Sequence, residues 1–183
     1  MTIRIETERL VLRPLSASDA DAHIAMMQNP KIASFLTPDG ASRDRSEEWR
    51  SFASMLGHWE LRGFGFFSVE EKTSGDWVGR VGPWMPEGWP ALECGWSITH
   101  DHWGKGYAPE AAIASIQWIF ANYPDLPRII SVIDPANANS QAVAKKIGEQ
   151  NTGEVFEYWG HRLDIWAAER DNWIKKFGPK NLS

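Results

Sequence analysis

The chain has little with which to cross-link or anchor itself. A single cysteine, Cys94, excludes an internal disulfide and any multi-cysteine metal site. No run approaches the roughly 18 consecutive apolar residues of a membrane span. The opening residues, with Arg4, Glu6, Glu8 and Arg9, lack the apolar core of a secretory signal. The expectation is a soluble cytoplasmic protein without a membrane partner. Positive charge is in deficit, with 19 Lys and Arg against 24 Asp and Glu for a formal net charge of -5. That balance argues against a nucleic-acid partner held by phosphate contacts and favours a cationic or amine-bearing small substrate. There is no internal repeat, no low-complexity segment and no linker-like shift in composition. A Gly-x-Ser-x-Gly elbow, which would support a hydrolase, is also missing. At 183 residues, 43% hydrophobic and 23% charged, residues 1–183 are expected to form one globular domain.

Tryptophan is in excess, with 11 residues. Most large aromatics pack in cores. Trp84 and Trp89 flank Met85-Pro86-Glu87-Gly88 in a turn-rich loop, and are expected to line an acceptor pocket. Exposed tryptophans would also offer a surface to a second copy, so a homodimer stays open.

The organising stretch runs from Leu92 to Phe120. Strand alternation puts Leu92, Cys94, Trp96 and Ile98 on one bulky apolar face, and Glu93, Gly95, Ser97 and Thr99 on the other. The second face is small and polar apart from Glu93, which leaves room for a ligand beside a carboxylate. Cys94 reads as core, on the packed face and without a base partner. After the strand come Trp103, Gly104, Lys105, Gly106, Tyr107 and Ala108, and then a helix beginning at Pro109. A glycine-bearing turn that opens a helix aims backbone N–H groups at the positive end of the helix dipole, where a pyrophosphate binds. A P-loop would need Ser or Thr after Gly104-Lys105, where Gly106 stands. A dinucleotide fingerprint would need glycine at Pro109.

This turn resembles the acyl-CoA motif of the GNAT family of N-acetyltransferases, with Gly fourth and Gly or Ala sixth. Here those places hold Gly106 and Ala108, while Trp103 stands first in place of Arg or Gln. Trp-Gly-Lys-Gly-Tyr-Ala followed by Glu-Ala, and the opening Glu6 to Pro14, are similar to the branch of the ribosomal-protein N-terminal acetyltransferases (RimJ/RimL-like). A second resemblance lies at Asn137, Ser140 and Lys146-Ile147-Gly148, the family's other cofactor motif. The likeness covers Glu6 to about Trp173. It implies an α/β fold, a mixed twisted central sheet of about seven strands with helices on both faces.

Periodicity supplies the elements. Strands are expected over Leu10 to Arg13, Phe64 to Glu70, Trp77 to Val81, Leu92 to Thr99, Arg128 to Asp134, Glu154 to Trp159 and Leu163 to Ala168. Helices are expected after Ser16 or Ser18, from about Arg43 to Arg62, from Pro109 to Phe120, and from Asn139 or Ser140 to Ile147. Lys31 to Leu36 reads as a further short turn of helix, and Asp171 to Phe177 as a short polar tail. In the family, the region between the first two strands lies over the acceptor site.

The resemblance implies an enzyme with acetyl-CoA as donor co-substrate, an amine acceptor and no metal. By position, Trp96, Ser97 and Ile98 would offer a backbone N–H to the thioester oxygen, and Trp103 to Ala108 would hold the pyrophosphate, Lys105 adding charge. Asn137 and Ser140 would complete the cofactor site. Amine attack needs a proton acceptor, and a carboxylate raised by burial serves. Glu93 is the leading candidate and Glu87 the second. The tyrosine with which many family members protonate the leaving thiolate falls here at Ala144, so Ser140, one helical turn earlier, is the expected replacement. The absent tyrosine and the Trp at position 103 also fit an alternative, a CoA-binding sensor or docking domain without transfer. His100, Asp101 and His102 offer two histidines and no third ligand of clear spacing, and read as a solvated turn rather than a metal site.

Overall fold

The computed structural model describes residues 3–37, 39–158 and 160–178. Pro38, in the Thr37-Pro38-Asp39-Gly40 stretch whose turn chemistry predicts a loop, and Trp159, at the end of an expected strand, lie outside them. Among the described residues no helix is long and apolar enough to cross a membrane.

Eight strands form one mixed sheet: β1 (Ile5–Glu6), β2 (Leu10–Pro14), β3 (Phe67–Glu71), β4 (Trp77–Trp84), β5 (Glu93–Ile98), β6 (Arg128–Ile133), β7 (Gln150–Tyr158) and β8 (His161–Glu169). Their order is β1-β2-β3-β4-β5-β6-β8-β7. The short β1 is the strand beyond the seven expected. Only β5 and β6 run parallel, joined by α4 (Tyr107–Asn122) as a βαβ crossover.

Alternation along β5 decides the layers. Leu92, Cys94 and Ile98 enter the main core with Ala111, Ala112, Ile116 and Ile119 of α4. The opposite face carries α1 (Ala20–Met27), α2 (Pro30–Leu36) and α3 (Arg45–Arg62); Phe52 and Met55 of α3 pack on Phe66 and Trp84. Asp44 caps α3 in a capping box with Glu47, and Gly63 closes it in the left-handed conformation, φ 75°. The buried residues of α3 are Glu48, Phe52, Met55 and His58, and Trp49 is 56% exposed.

Three further boundaries differ from the sequence reading. Helix α4 starts at Tyr107 because Gly106, at φ 81°, is its N-cap; Pro109 is the third helical residue, still within the first turn where N–H groups have no helical partner. Strand β4 continues through Gly82 and Pro83 to Trp84. Pro83 sits opposite Cys94, a pair that exchanges no ladder bonds, so its missing N–H costs nothing. The expected polar tail is a helix, α6 (Arg170–Phe177), whose Trp173 is 3% exposed and donates from Nε1 to Ile147 O at 2.7 Å.

Candidate active site

The site is built where β5 and β6 part. They share one registered pair, Glu93 with Ile130, beside which Ile130 N donates to Leu92 O at 3.1 Å. Past that point side chains replace the ladder. Ser131 Oγ donates to Cys94 O at 2.9 Å, and Val132 N donates to Glu93 Oε1 at 3.3 Å. The register with β4 turns the odd-numbered residues of β5 toward β4, as Thr99 N to Val78 O at 2.9 Å confirms for the next residue in line. The backbone groups of Trp96 and Ile98 therefore face the gap, with no β6 residue in register. Ile98 O is taken by Trp103 Nε1 at 2.7 Å.

Two cavities meet at this gap. The first, about 310 Å³, is lined by Trp96, Ser97, Ile98, Trp103, Gly104, Gly106, Tyr107, Ala108, Asn137 and Ser140. The second, about 270 Å³, is lined by Glu93, Trp84 and Trp89, with Glu48, Arg80 and Tyr158. Phe35, Leu36, Trp96, Ser97, Asn137 and Ser140 border both.

The turn at the first cavity is held from behind. Gly104 and Gly106 take left-handed φ angles of 76° and 81°, which L side chains adopt only with strain. Arg9 Nη1 donates to Lys105 O at 2.8 Å, and Glu110 accepts from Thr7 Oγ1, Arg9 N and Arg9 Nε at 2.6, 2.9 and 2.7 Å. Glu110 thus ties the N-terminal segment to α4 rather than only answering its dipole. Lys105 does not line the cavity; Lys31 and Lys146 do. Asn137 is the N-cap of α5 (Ala138–Lys146), its side chain accepting from Ser140 N at 3.0 Å. Ala144 is fully buried, packed with Ile133 and Trp166, so that position faces the core and Ser140 faces the cavities.

At the second cavity Glu93 is 8% exposed. Burial pushes its carboxyl up from 4.5 to about 7, opposed by the Val132 N–H, by Trp89, whose Nε1 donates to Oε2 at 2.7 Å, and by the Arg80 charge. A small residue at 95 keeps this space open: a Cβ there would meet Phe66 at 3.0 Å and Glu93 Oε1 at 3.6 Å. Trp84 ends β4 rather than lying in the loop, stacked between His58 and Phe66 at 4.5 and 5.1 Å. Trp89 meets Phe156 and Tyr158 edge-on. Glu87 is highly exposed, pairs with Arg62 at 3.1 Å and lines neither cavity.

The two histidines diverge. His100 Nε2 lies 3.0 Å from Lys31 Nζ, and His102 Nδ1 lies 2.8 Å from Thr99 Oγ1. Sequence reasoning missed Arg80 and Glu48. The available signals were a charged residue inside the strand pattern of β4 and a Glu one helical turn before Phe52.

Residues 9–150 match the family described as the acetyltransferase (GNAT) domain. An acetyltransferase structure from Agrobacterium tumefaciens is 30% identical at a TM-score of 0.80, covering 92% of this chain and 95% of that one. The uncharacterized N-acetyltransferase p20 of Bacillus licheniformis is 28% identical over 167 residues, 87% of this chain and 91% of its own length. RimJ of Mycobacterium smegmatis, solved with CoA-disulfide, shares the fold at 19% identity and a TM-score of 0.69, over 93% of this chain and 87% of that one. With the match spanning both the parted strands and the glycine turn, the chain belongs to the GNAT acetyltransferase family.

Proposed function

We propose that this protein is a cytoplasmic, acetyl-CoA-dependent N-acetyltransferase acting on a primary amine within a ternary complex, as a single domain. The observation that carries the reading is the meeting of two cavities at Trp96 and Ser97, one behind a glycine turn and the other holding a buried carboxyl. The first accommodates acetyl-CoA, whose thioester supplies the activated acetyl group. Backbone N–H groups of the 103–108 turn meet its pyrophosphate, and Lys31 and Lys146 add charge. The Trp96 N–H, freed by the parting of β5 from β6, is the donor for the carbonyl oxygen as it gains charge.

Glu93 receives the proton the amine must lose, directly or through water. With a pKa of about 7 it is largely ionised under mildly alkaline conditions and basic enough to take it. The amine nitrogen then forms its bond to the carbonyl carbon, the carbon–sulfur bond breaks, and the thiolate takes a proton from Ser140 or from water. Ser140 is the hydroxyl that borders both cavities. RimJ and the spermidine and aminoglycoside acetyltransferases among the structural neighbours make a peptide N-terminus and small amines the acceptor classes to try.

The test is CoA thiol release from acetyl-CoA against short peptides, polyamines, amino acids and aminoglycosides, with Glu93→Gln alongside. Turnover lost in the variant while acetyl-CoA binding persists supports the reading. Tight acetyl-CoA binding without turnover of any amine by the unaltered protein overturns it in favour of a sensor.

A further inference from the structure

The second cavity contains two ionisable side chains that no described residue meets with a hydrogen bond or an ion pair. Arg80 on β4 is 7% exposed and Glu48 on α3 is fully buried, and both line the cavity with Glu93. Arg80 Nε and both Glu48 oxygens have no hydrogen-bond partner among the described residues. Among the described residues no ion pair holds the Arg80 guanidinium either, and the Phe66 ring lies 4.0 Å beneath it. Phe66 in turn lies against Gly95, and Arg80 pairs across the sheet with Ser97. The cation therefore stands on the same face of the sheet as Glu93, in the space left for the acceptor.

A buried guanidinium offers five N–H donors in a planar fork, and leaving them unmet is costly. Burial lowers the Arg80 pKa to about 10, which still leaves it charged at neutral pH. The same burial pushes the Glu48 carboxyl up, toward the neutral form. Arg80 is then a fixed charge on the cavity wall, eased at a distance by the Glu93 and Glu48 carboxyls but hydrogen-bonded to neither, and Arg43 adds a second cation to the lining. A fork of this shape fits a carboxylate through two parallel bonds. A bare polycation would meet the opposite of what it needs, although the chain as a whole is acidic. At about 270 Å³, between Phe66, Trp84 and Trp89, the cavity is just below the usual range of ligand cavities, roughly 300 to 1,000 Å³, and suits a small molecule.

We infer that the acceptor is a small amine bearing a carboxylate, an amino acid in chemical class, whose carboxylate is held by Arg80 while its amine faces Glu93. The inference rests on the second cavity being the acceptor site, and its test reads binding as well as transfer. Turnover is compared for phenylalanine, leucine and β-alanine against the corresponding amides and against spermidine. In parallel, N-acetylphenylalanine and its amide are titrated against the fluorescence of Trp84 and Trp89, which needs no transfer.

The expected result is a KM at least tenfold lower for the acids than for their amides, and tighter binding of N-acetylphenylalanine than of its amide. Arg80→Gln removes both differences, bringing the acids to the level of their amides in KM and in binding. Arg80→Lys, which keeps the charge and loses the fork, falls between, and it stands in should Arg80→Gln fail to fold. Amides or spermidine used as well as the acids by the unaltered protein overturn the inference and leave the transferase reading intact. Acid-selective binding that Arg80→Gln abolishes, with no amine acetylated, upholds Arg80 as a carboxylate site but overturns the transferase reading and, with it, the acceptor role.

Discussion

The indole Nε1 of Trp89 donates to Oε2 of Glu93 at 2.7 Å, while Val132 N holds the other oxygen at 3.3 Å. A donor to a carboxylate favours its charged form, so Trp89 works against the burial that raises Glu93. Trp89→Phe keeps the edge-on packing with Phe156 and Tyr158 and removes the donor. The ascending limb of kcat/KM against pH is expected to move from about 7 to the alkaline side by about one pH unit. An unmoved limb would mean that Glu93 is not the titrating group.

Glu93→Gln separates function from stability. The folded state raises this carboxyl from 4.5 to about 7, so the fold holds the proton that the unfolded chain releases first. Stability therefore declines as pH rises from 4.5 to 7, and above 7 the full cost of about 3 kcal/mol is present. Glutamine carries no such charge, although its amide NH2 must face either Trp89 or Val132 and gives back about 1 kcal/mol. Turnover should fall by about a hundredfold or more. The Tm relative to the unaltered protein should rise by a few degrees at pH 8 and stay level near pH 4, as read by calorimetry.

At the glycine turn, Gly106→Ala adds a Cβ at φ 81°, 3.4 Å from Arg9 Nη2. The left-handed conformation costs a non-glycine residue roughly 1 to 2 kcal/mol. The Arg9 brace on Lys105 O would be displaced as well. The expected outcome is a KM for acetyl-CoA raised about tenfold with kcat little changed, because the turn holds the donor and not the reacting atoms. A fall in kcat at unchanged KM would place the turn's role elsewhere.

The parts of this site that period and spacing encode were legible in the sequence. Alternation along β5 placed Cys94 on the core side and Glu93 on the open side, and the glycines at 104 and 106 marked the turn before α4. What was not legible depends on contacts between distant segments. Thr7 and Arg9 bind Glu110 across about a hundred residues, and no local pattern announces it. Arg80 and Glu48 break the apolar periodicity of their elements, and only the cavity between them gives a reason. The last helix read as polar because Trp173, Ile174 and Phe177 are three apolar residues among charged and polar ones; lying within about one turn, they reach the same core together. Sequence ranked Glu93 ahead of Glu87 by strand position, and burial separates them further, Glu93 being 8% exposed while Glu87 pairs with Arg62 on the surface.

His23 sets the acid limit of the fold. It is fully buried on α1, its ring 5.0 Å from that of Phe52, and neither ring nitrogen has a partner among the described residues. Burial, aided by the Arg80 charge and opposed by Asp19, lowers its pKa from 6.5 to about 3. A lowered histidine pKa means that the unfolded chain takes up a proton that the folded one refuses. Stability is therefore intact above pH 6.5 and is lost as pH falls from 6.5 toward 3, by about 5 kcal/mol over the whole window. At pH 4.5 the share due to His23 is about 3 kcal/mol. His23→Leu removes the titration and two unpartnered buried nitrogens at similar volume. Its urea midpoint should match or exceed that of the unaltered protein at pH 7.5, and should fall much less between pH 7.5 and 4.5. Equal losses in the two proteins would show that His23 takes up its proton near 6.5 in the fold, and that its burial carries none of the acid sensitivity.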